Sequence, residues 1–259
     1  VYILSCCFYL ICTSIFIYSF PLRNSIGNRL RCKFMMKVCN FLRLVFVIIW
    51  CGSLYYDVEY QPRIGHEWYI YKLVMLTNLN FVVLTVFSVF ILLHALVFSN
   101  DSFKHILDFT FHCLIFPLAM VTCALFWGLH ILDPSLVMPE WLANLIPPWL
   151  NHITHTLPVI YVSFELLTTN RASPSRRMSL AASTVYVTIY FTIILAVHFL
   201  DGYWLYPLLE LLTLELLALF FLASVAGYYF LIRLSTVLSL WSIGRLQPDS
   251  IRQNKYKQP

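Results

Sequence analysis

Two histidines lie one helical turn apart in the run Asn-His-Ile-Thr-His at residues 151–155, at the start of an apolar stretch. Ionisable groups at membrane depth are costly and usually functional. A second polar residue, Thr77, begins another apolar run. A hydroxyl and an imidazole at matching depth are the minimum parts of a nucleophile and its base. Thr77 and His155 are therefore candidate catalytic residues if their helices enter the bilayer from the same side.

The chemistry of such a pair favours an ester substrate. A threonine hydroxyl is a weak nucleophile, so a base must take its proton. Burial in a low-dielectric site disfavours the imidazolium, and the neutral ring is the form that accepts a proton. The leaving alcohol of an ester can then take that proton back. Asn80, Asn151 and His152 are candidate donors to the oxyanion, and the sequence does not choose among them.

The same histidines allow a different chemistry. His152 and His155 share a helix face at i and i+3 spacing, and they could bind a metal ion together with His130 and His198. No nearby carboxylate is an obvious ligand, and no second pair has this spacing. We therefore predict no metal and no other cofactor. We keep His198 as a supporting residue of the Thr–His pair.

The composition is that of an integral membrane protein. The chain is 60% hydrophobic and 11% charged with a mean hydropathy of +0.77, whereas soluble domains are about 25% charged. Its net charge of +5 does not indicate nucleic acid, because the basic residues lie in short loops and tails that orient membrane helices. We expect membrane lipids and a lipid ester as partners, with no nucleic acid and no obligate protein partner.

The hydropathy pattern predicts an all-α, polytopic transmembrane bundle. An apolar run at residues 1–20 is long enough to span or to act as a signal anchor, but Met35 and Met36 are alternative starts that would make residues 1–34 dispensable. Six core helices follow this run. They cover roughly residues 38–57, 74–98, 105–132, 151–169, 180–200 and 207–233.

The charged loops give the bundle an orientation. Lys and Arg concentrate before the first core helix, in the loop at 170–178 and in the C-terminal tail, whereas the loops at 133–150 and 201–206 contain none. The positive-inside rule therefore predicts that both core termini are cytosolic. Thr77 and His155 then both lie near the opposite face, in the endoplasmic reticulum or the plasma membrane.

Two charges lie inside predicted helices. Arg43 falls within the first core helix and Glu165 lies deep in the fourth. A charge at this depth needs a partner or a route to water. We expect Arg43 to snorkel toward the basic side and Glu165 to pair with a basic neighbour or a helix end.

Several motifs, in order along the chain, resemble one known family, that of the androgen-induced gene 1 protein and the androgen-dependent TFPI-regulating protein. The resemblance covers roughly residues 38–240. It rests on Leu76-Thr77 with Asn80, Phe126-Trp127 with Asp133, Ile146-Pro147-Pro148-Trp149-Leu150-Asn151-His152 with His155-Thr156, and Val197-His198 followed by Gly202, Trp204 and Tyr206-Pro207.

The resemblance implies a specific activity. Members of this family are multi-pass membrane hydrolases of fatty acid esters of hydroxy fatty acids, with an intramembrane threonine nucleophile and a histidine partner. By position these residues are Thr77 and His155, and His152 also matches the pattern. Residues 1–37 have no recognised counterpart, and the loops at 58–72 and 99–104 differ in length, which bears on substrate preference more than on the chemistry.

The sequence thus predicts an intramembrane lipid-ester hydrolase. We divide the chain into an N-terminal hydrophobic segment and basic linker (1–37), a six-helix hydrolase domain (38–240) and a polar cytosolic tail (241–259). The alternative is a non-enzymatic receptor or transporter that binds a lipid or small solute in a luminal polar pocket. A discontinuous helix or a polar path through both halves would favour that alternative.

Overall fold

The computed structural model describes residues 25–63, 68–97, 100–136 and 144–246. These residues form helices and no strand, so the all-α prediction is confirmed. Most of the predicted N-terminal apolar segment and the end of the predicted tail lie outside the described residues.

Ten α-helices follow one another in the described part of the chain. A π-helical turn at Phe111–Ile115 joins the fourth and fifth into one continuous helix, and a short 3₁₀ turn at Pro134–Leu136 follows the fifth. The α-helices are α1 (Ser25–Glu59), α2 (Trp68–Val74), α3 (Leu76–Leu96), α4 (Asp101–Thr110), α5 (Phe116–Leu132), α6 (Pro148–His155), α7 (Leu157–Thr168), α8 (Arg176–Asp201), α9 (Pro207–Glu210) and α10 (Leu214–Leu246).

Five described helical segments are long and apolar enough to cross a membrane. They are residues 34–59 of α1, α3, the continuous α4–α5 helix, α8 and residues 214–242 of α10. Large apolar side chains on them face outward, such as Leu200 at 83% and Phe230 at 62% exposure. This outer surface suits contact with lipid tails rather than water. The architecture is that of a multi-pass membrane bundle.

The fourth predicted core helix is present, but it is broken. Residues 151–169 were expected to form one helix, and the structure has α6 and α7 separated at Thr156. Pro158 explains the break, because its nitrogen cannot donate to the carbonyl of Thr154 and its ring crowds that carbonyl. Each half is too short to cross a bilayer alone.

Helix α1 begins earlier than the sequence indicated. The predicted start was residue 38, and the helix begins at Ser25. The predicted basic linker contains Arg, Lys, Met and Leu, which are good helix formers, and no proline between residues 25 and 37. The positive charge of residues 25–37 indicated a segment outside the bilayer. It gave no information on where the helix begins.

The helices pack around one main aromatic core. Helix α1 packs along α3, α8 packs along α10, and α5 contacts α3, α7 and α10. Trp50 is fully buried, with its ring edge-on to Phe81 at 5.9 Å and to Tyr161 at 6.2 Å between centroids. Edge-to-face aromatic pairs add to the stabilisation from burial. This contact fixes α3 relative to α7 and therefore to the end of α6.

A buried ion network ties helices together in the half of the bundle away from that end. Glu165 of α7, 0% exposed, accepts hydrogen bonds from Arg43 Nε at 2.7 Å and from Arg171 Nη2 at 2.6 Å. Arg171 also contacts Asp108 of α4 at 3.4 Å and lies over the ring of Phe111. The predicted pairing of Glu165 is confirmed. Arg43, which was expected to snorkel toward the basic side, is largely buried, and its guanidinium donates to Glu165 and to Thr169 at the end of α7.

Candidate active site

The structure brings Thr77 and His155 into contact. Thr77 is the second residue of α3 and His155 is the last residue of α6. The Thr77 hydroxyl oxygen lies 3.1 Å from His155 Nε2, within hydrogen-bonding distance. The two helices thus meet at their ends, at one level of the bundle.

The backbone fixes which nitrogen of His155 can accept a proton. Its Nδ1 lies 3.0 Å from the carbonyl oxygen of Asn151, which can only accept a hydrogen bond. The Nδ1–H therefore donates to that carbonyl, and the lone pair on Nε2 points to Thr77. The Thr154 hydroxyl lies 3.0 Å from the same Nδ1 and donates to the carbonyl of Leu150. His155 is oriented as a hydrogen-bond acceptor for the Thr77 hydroxyl.

An aromatic ring holds the imidazole from one side. Phe126 of α5 stacks on His155 with ring centroids 3.5 Å apart and planes 16° from parallel. The imidazole is 7% exposed. Stacking and burial limit rotation of the ring and keep bulk water from its face, which preorganises the Thr–His pair.

Two tyrosines hold the chain immediately before Thr77. The backbone between α2 and α3 is extended at Met75. The Leu76 N–H donates to the Tyr206 hydroxyl at 3.0 Å, and the Tyr190 hydroxyl donates to the Val74 carbonyl at 3.2 Å. The two hydroxyl oxygens are 2.7 Å apart. This tyrosine pair satisfies backbone groups that the break in the helix would otherwise leave without partners in lipid.

The sequence did not reveal the tyrosine pair. Tyr206 was noted only as part of the family motif Tyr206-Pro207, and Tyr190 lies within an apolar run. Their partners are 130 and 116 residues away along the chain. The available signal was the pair of phenol groups at the depth of Thr77, which each need a hydrogen-bond partner when buried.

The predicted supporting residues divide into two groups. Asn80 is 0% exposed, and neither atom of its amide has a hydrogen-bond partner in the described structure; the Asn151 side-chain oxygen is likewise buried and unbonded. His152 is exposed, and its Nδ1 lies 3.2 Å from the Thr156 hydroxyl. His198 stacks on Trp204 at 3.9 Å between centroids. Asn80 and Asn151 thus lie one turn from the two candidate catalytic residues, whereas His152 and His198 make other contacts.

The four histidines considered for a metal site each contact an aromatic ring, and His130 shares the ring of Phe126 with His155. His130 stacks on Phe126 at 5.7 Å between centroids, and His152 stacks on Trp127 at 5.5 Å. Among the described residues, no three His, Cys, Asp or Glu side chains are grouped so that they could hold a metal ion.

An elongated apolar cavity of about 560 Å³ adjoins Thr77. Ligand pockets in proteins are commonly of this size. Its walls come from α3, α5, α8 and α10 and from the residues around α9. The lining residues include Leu76, Thr77, Leu79, Leu114, Leu118, Val121, Thr122, Leu125, Phe126, Leu129, Tyr186, Tyr190, Ile194, Tyr206, Phe220, Ser224, Gly227, Tyr228 and Leu231.

Comparison with known proteins identifies the family. The family model described as FAR-17a/AIG1-like protein matches residues 4–240. The chain belongs to this family. No counterpart was recognised for residues 1–37 from the sequence, but the family match includes most of them because it begins at residue 4. That segment is mostly apolar and carries few distinctive motifs, so the resemblance was visible only from residue 38 onward.

Individual members of the FAR-17a/AIG1-like family show how far the similarity extends. Androgen-induced gene 1 protein from Homo sapiens is 32% identical over 132 residues, 51% of this chain and 56% of that protein. Androgen-dependent TFPI-regulating protein from Mesocricetus auratus is 32% identical over 115 residues, 44% of this chain and 50% of that protein. The chain thus spans about half the length of these two relatives.

A longer alignment relates the chain to a human member of the FAR-17a/AIG1-like family. Androgen-dependent TFPI-regulating protein from Homo sapiens is 27% identical over 235 residues, 85% of this chain and 100% of that protein. No solved structure matches the chain significantly.

Proposed function

We propose that this protein is an intramembrane hydrolase of lipid esters, with fatty acid esters of hydroxy fatty acids as its substrate class. The single observation that carries the proposal is the 3.1 Å contact of the Thr77 hydroxyl with His155 Nε2, in a ring whose Nδ1–H is held by the Asn151 carbonyl. A nucleophile, its base and a group that orients the base are the three parts that such catalysis needs. Membership of the FAR-17a/AIG1-like family supports the membrane setting.

The first half of the reaction acylates Thr77. His155 Nε2 accepts the proton of the Thr77 hydroxyl as its oxygen attacks the carbonyl carbon of the ester. The tetrahedral intermediate collapses when the bond from the carbonyl carbon to the alkoxy oxygen breaks. The imidazolium returns the proton to that oxygen, so the alcohol leaves and the acyl group stays on Thr77.

The second half releases the acid. His155 takes a proton from water as the water oxygen attacks the acyl carbon. The bond to the Thr77 oxygen then breaks, and the imidazolium returns the proton to that oxygen. The carboxylic acid leaves, and the Thr–His pair has its original protons.

The negative charge of the intermediate needs donors close to Thr77. Thr77 lies in the first turn of α3, where the helix dipole favours negative charge. Asn80 lies one turn further, fully buried, with an amide that no described group engages. Because a buried amide without a partner is costly, Asn80 is our first candidate for the side-chain oxyanion donor.

Covalent labelling tests the proposed nucleophile. A fluorophosphonate probe should label the purified wild type at Thr77, and both Thr77→Ala and His155→Ala should lose the label. Thr85→Ala is a matched control, since Thr85 lies on the same helix and its hydroxyl donates to the Phe81 carbonyl. Labelling of a folded Thr77→Ala variant at the wild-type level would refute the assignment.

The break between α6 and α7 favours a second candidate function. Transporters often bind substrate at discontinuous helices near the bilayer midplane. The protein would then bind a lipid in the apolar cavity without hydrolysing it. In the other half of the bundle, ion pairs with arginines satisfy the buried carboxylates Glu165 and Asp108, which disfavours a polar path there. Turnover of an ester that depends on Thr77 separates the two functions.

Tyr206→Phe should slow turnover without weakening substrate binding. The change removes the acceptor of the Leu76 N–H and the contact with Tyr190, each a hydrogen bond of about 1 kcal/mol. Thr77 would then be less well positioned, and we expect kcat to fall about tenfold with KM little changed. Steady-state kinetics on the purified protein measure both constants, with Tyr55→Phe, a 61% exposed tyrosine on α1, as the control. A rise in KM at constant kcat would contradict a positioning role.

A further inference from the structure

We propose that the 560 Å³ cavity binds the acyl chain of the ester as an extended, unbranched chain, and that the residues around Gly227 set the longest chain accepted. This inference rests on the proposed function, because it places the ester carbonyl at Thr77. It adds to that function how the acyl chain of the ester binds and which position limits the length of that chain.

The chemistry of the lining selects the acyl half of the substrate. Apart from hydroxyl groups such as those of Thr122 and Ser224, the described lining is apolar, and it contains no charged side chain. A free carboxylate buried there would have no partner, which is prohibitive at this depth. The acyl chain carries no polar group beyond the ester, so it fits the cavity, and the carboxylate-bearing alcohol half must point away.

The position of the cavity relative to Thr77 gives the chain its direction. At one end the lining includes Thr77 and Phe126, the ring that stacks on His155. An ester carbonyl at that end lies beside the candidate nucleophile. The remainder of the cavity runs along α5 away from the Thr–His pair, as far as Leu114.

The length of the cavity fits a long-chain acyl group. Phe126 and Leu114 both line it and are 12 residues apart along one continuous helix. At 1.5 Å per residue this separation corresponds to about 18 Å. An extended long-chain fatty acyl group is of this order, whereas a short acyl group would leave much of the apolar wall uncovered.

A packed cluster lies at the far end. Cys113, Val187, Tyr228 and Ile232 are buried against one another there. The Tyr228 hydroxyl donates to the Cys113 carbonyl at 3.2 Å, which links α10 to the π-helical turn. Tyr228 and Val187 of this cluster also line the cavity, so we expect the packed side chains to limit how far an acyl chain can extend in this direction.

Gly227 offers a place to shorten the cavity. It lines the cavity on α10 one residue before Tyr228, and a Cβ added there meets no heavy atom within 4 Å. A Cβ at Gly227 therefore has open space, and because Gly227 lines the cavity we expect a larger side chain there to take up part of the cavity volume. Leucine also has a higher helix propensity than glycine, so Gly227→Leu should fold.

The test is a chain-length profile. Purified wild type and Gly227→Leu are assayed on esters of one hydroxy fatty acid whose acyl groups run from octanoyl to stearoyl. We expect Gly227→Leu to lower kcat/KM for the palmitoyl and stearoyl esters about tenfold or more relative to the octanoyl ester. Gly52→Leu is the matched control, since a Cβ at Gly52 also meets nothing within 4 Å and Gly52 does not line the cavity. An unchanged profile, or an equal loss at every length, would overturn the proposal.

A binding measurement separates this inference from the proposed function. In the Thr77→Ala background, palmitate should raise the unfolding temperature more than octanoate does, and adding Gly227→Leu should remove the difference. This pattern without ester turnover by the wild type would retain the chain site and refute the hydrolase. Turnover with no dependence of binding or rate on Gly227 would retain the hydrolase and refute the chain site. A phospholipid that occupies the cavity and is displaced by no fatty acid would also refute the chain site.

Discussion

Thr77→Ala is expected to lower ester hydrolysis to the level of the uncatalysed background, and His155→Ala is expected to lower it about 10²–10⁴-fold. Without the Thr77 hydroxyl no acyl-enzyme can form. Without His155 the hydroxyl keeps its proton, because Nε2 at 3.1 Å is the base in contact with it. The measurement is turnover of a fatty acid ester of a hydroxy fatty acid by purified protein in detergent.

The double variant gives a sharper result than either single variant. Groups that act as one unit lose activity together, so Thr77→Ala with His155→Ala should be no slower than Thr77→Ala alone. Thr77→Ser should retain part of the activity, since it keeps a hydroxyl at the same place. Thr85→Ala should behave as wild type because its hydroxyl bonds only within α3. If Thr77→Ala instead keeps measurable activity that the added His155→Ala lowers further, the two residues act separately.

Glu165→Ala is expected to destabilise the protein by about 3–5 kcal/mol, the scale for breaking a buried ion pair from one side. The change leaves the guanidinium groups of Arg43 and Arg171 without their shared carboxylate, in a site where the Arg171 side chain is 1% exposed. Thermal or denaturant unfolding in detergent, followed by circular dichroism, measures the loss.

Two further variants show whether burial of unpaired charge is the cause. Lys104→Ala also breaks an ion pair, with Asp108, but the lysine side chain is 41% exposed, so we expect a loss of at most about 1 kcal/mol. Replacing Arg43, Glu165 and Arg171 together by apolar residues should recover much of the stability lost by Glu165→Ala. A triple variant as unstable as the single variant would show that shape, not charge, is the cause.

Position along each helix was sufficient to place Thr77 and His155 at one level of the bundle, and the family resemblance paired them. Charged loops orient the helices, and the position of a residue along its helix then sets its level. The same reasoning placed Glu165 deep in the bundle and predicted a basic neighbour or a helix end as its partner. The chemical roles of Thr77 and His155 stay a proposal, because a short distance between two groups does not by itself show that one of them reacts as a nucleophile.

The sequence did not predict which helices lie next to one another in the bundle. Hydropathy gives the level of a residue but not which helix lies next to it, so the contacts of Tyr190 and Tyr206 with the start of α3 were not foreseen. The predicted start of α1 was wrong for a related reason. The local charge at residues 25–37 suggested a linker, whereas the residues there favour a helix. Pro158 was visible, and its effect on the helix at Thr156 could have been anticipated.

The interruptions of the helical backbone at Met75 and Thr156 also bear on protein engineering. Thr77 lies two residues after the first interruption, and His155 lies immediately before the second. A designer who transferred only these two side chains to a bundle of uninterrupted helices would place them along helix flanks instead of at facing ends. The transplant would also need the hydroxyls of Tyr190 and Tyr206 to stabilise the interrupted backbone. The smallest portable unit of this site therefore includes both interrupted helix pairs, α2–α3 and α6–α7, together with α8 and Tyr206.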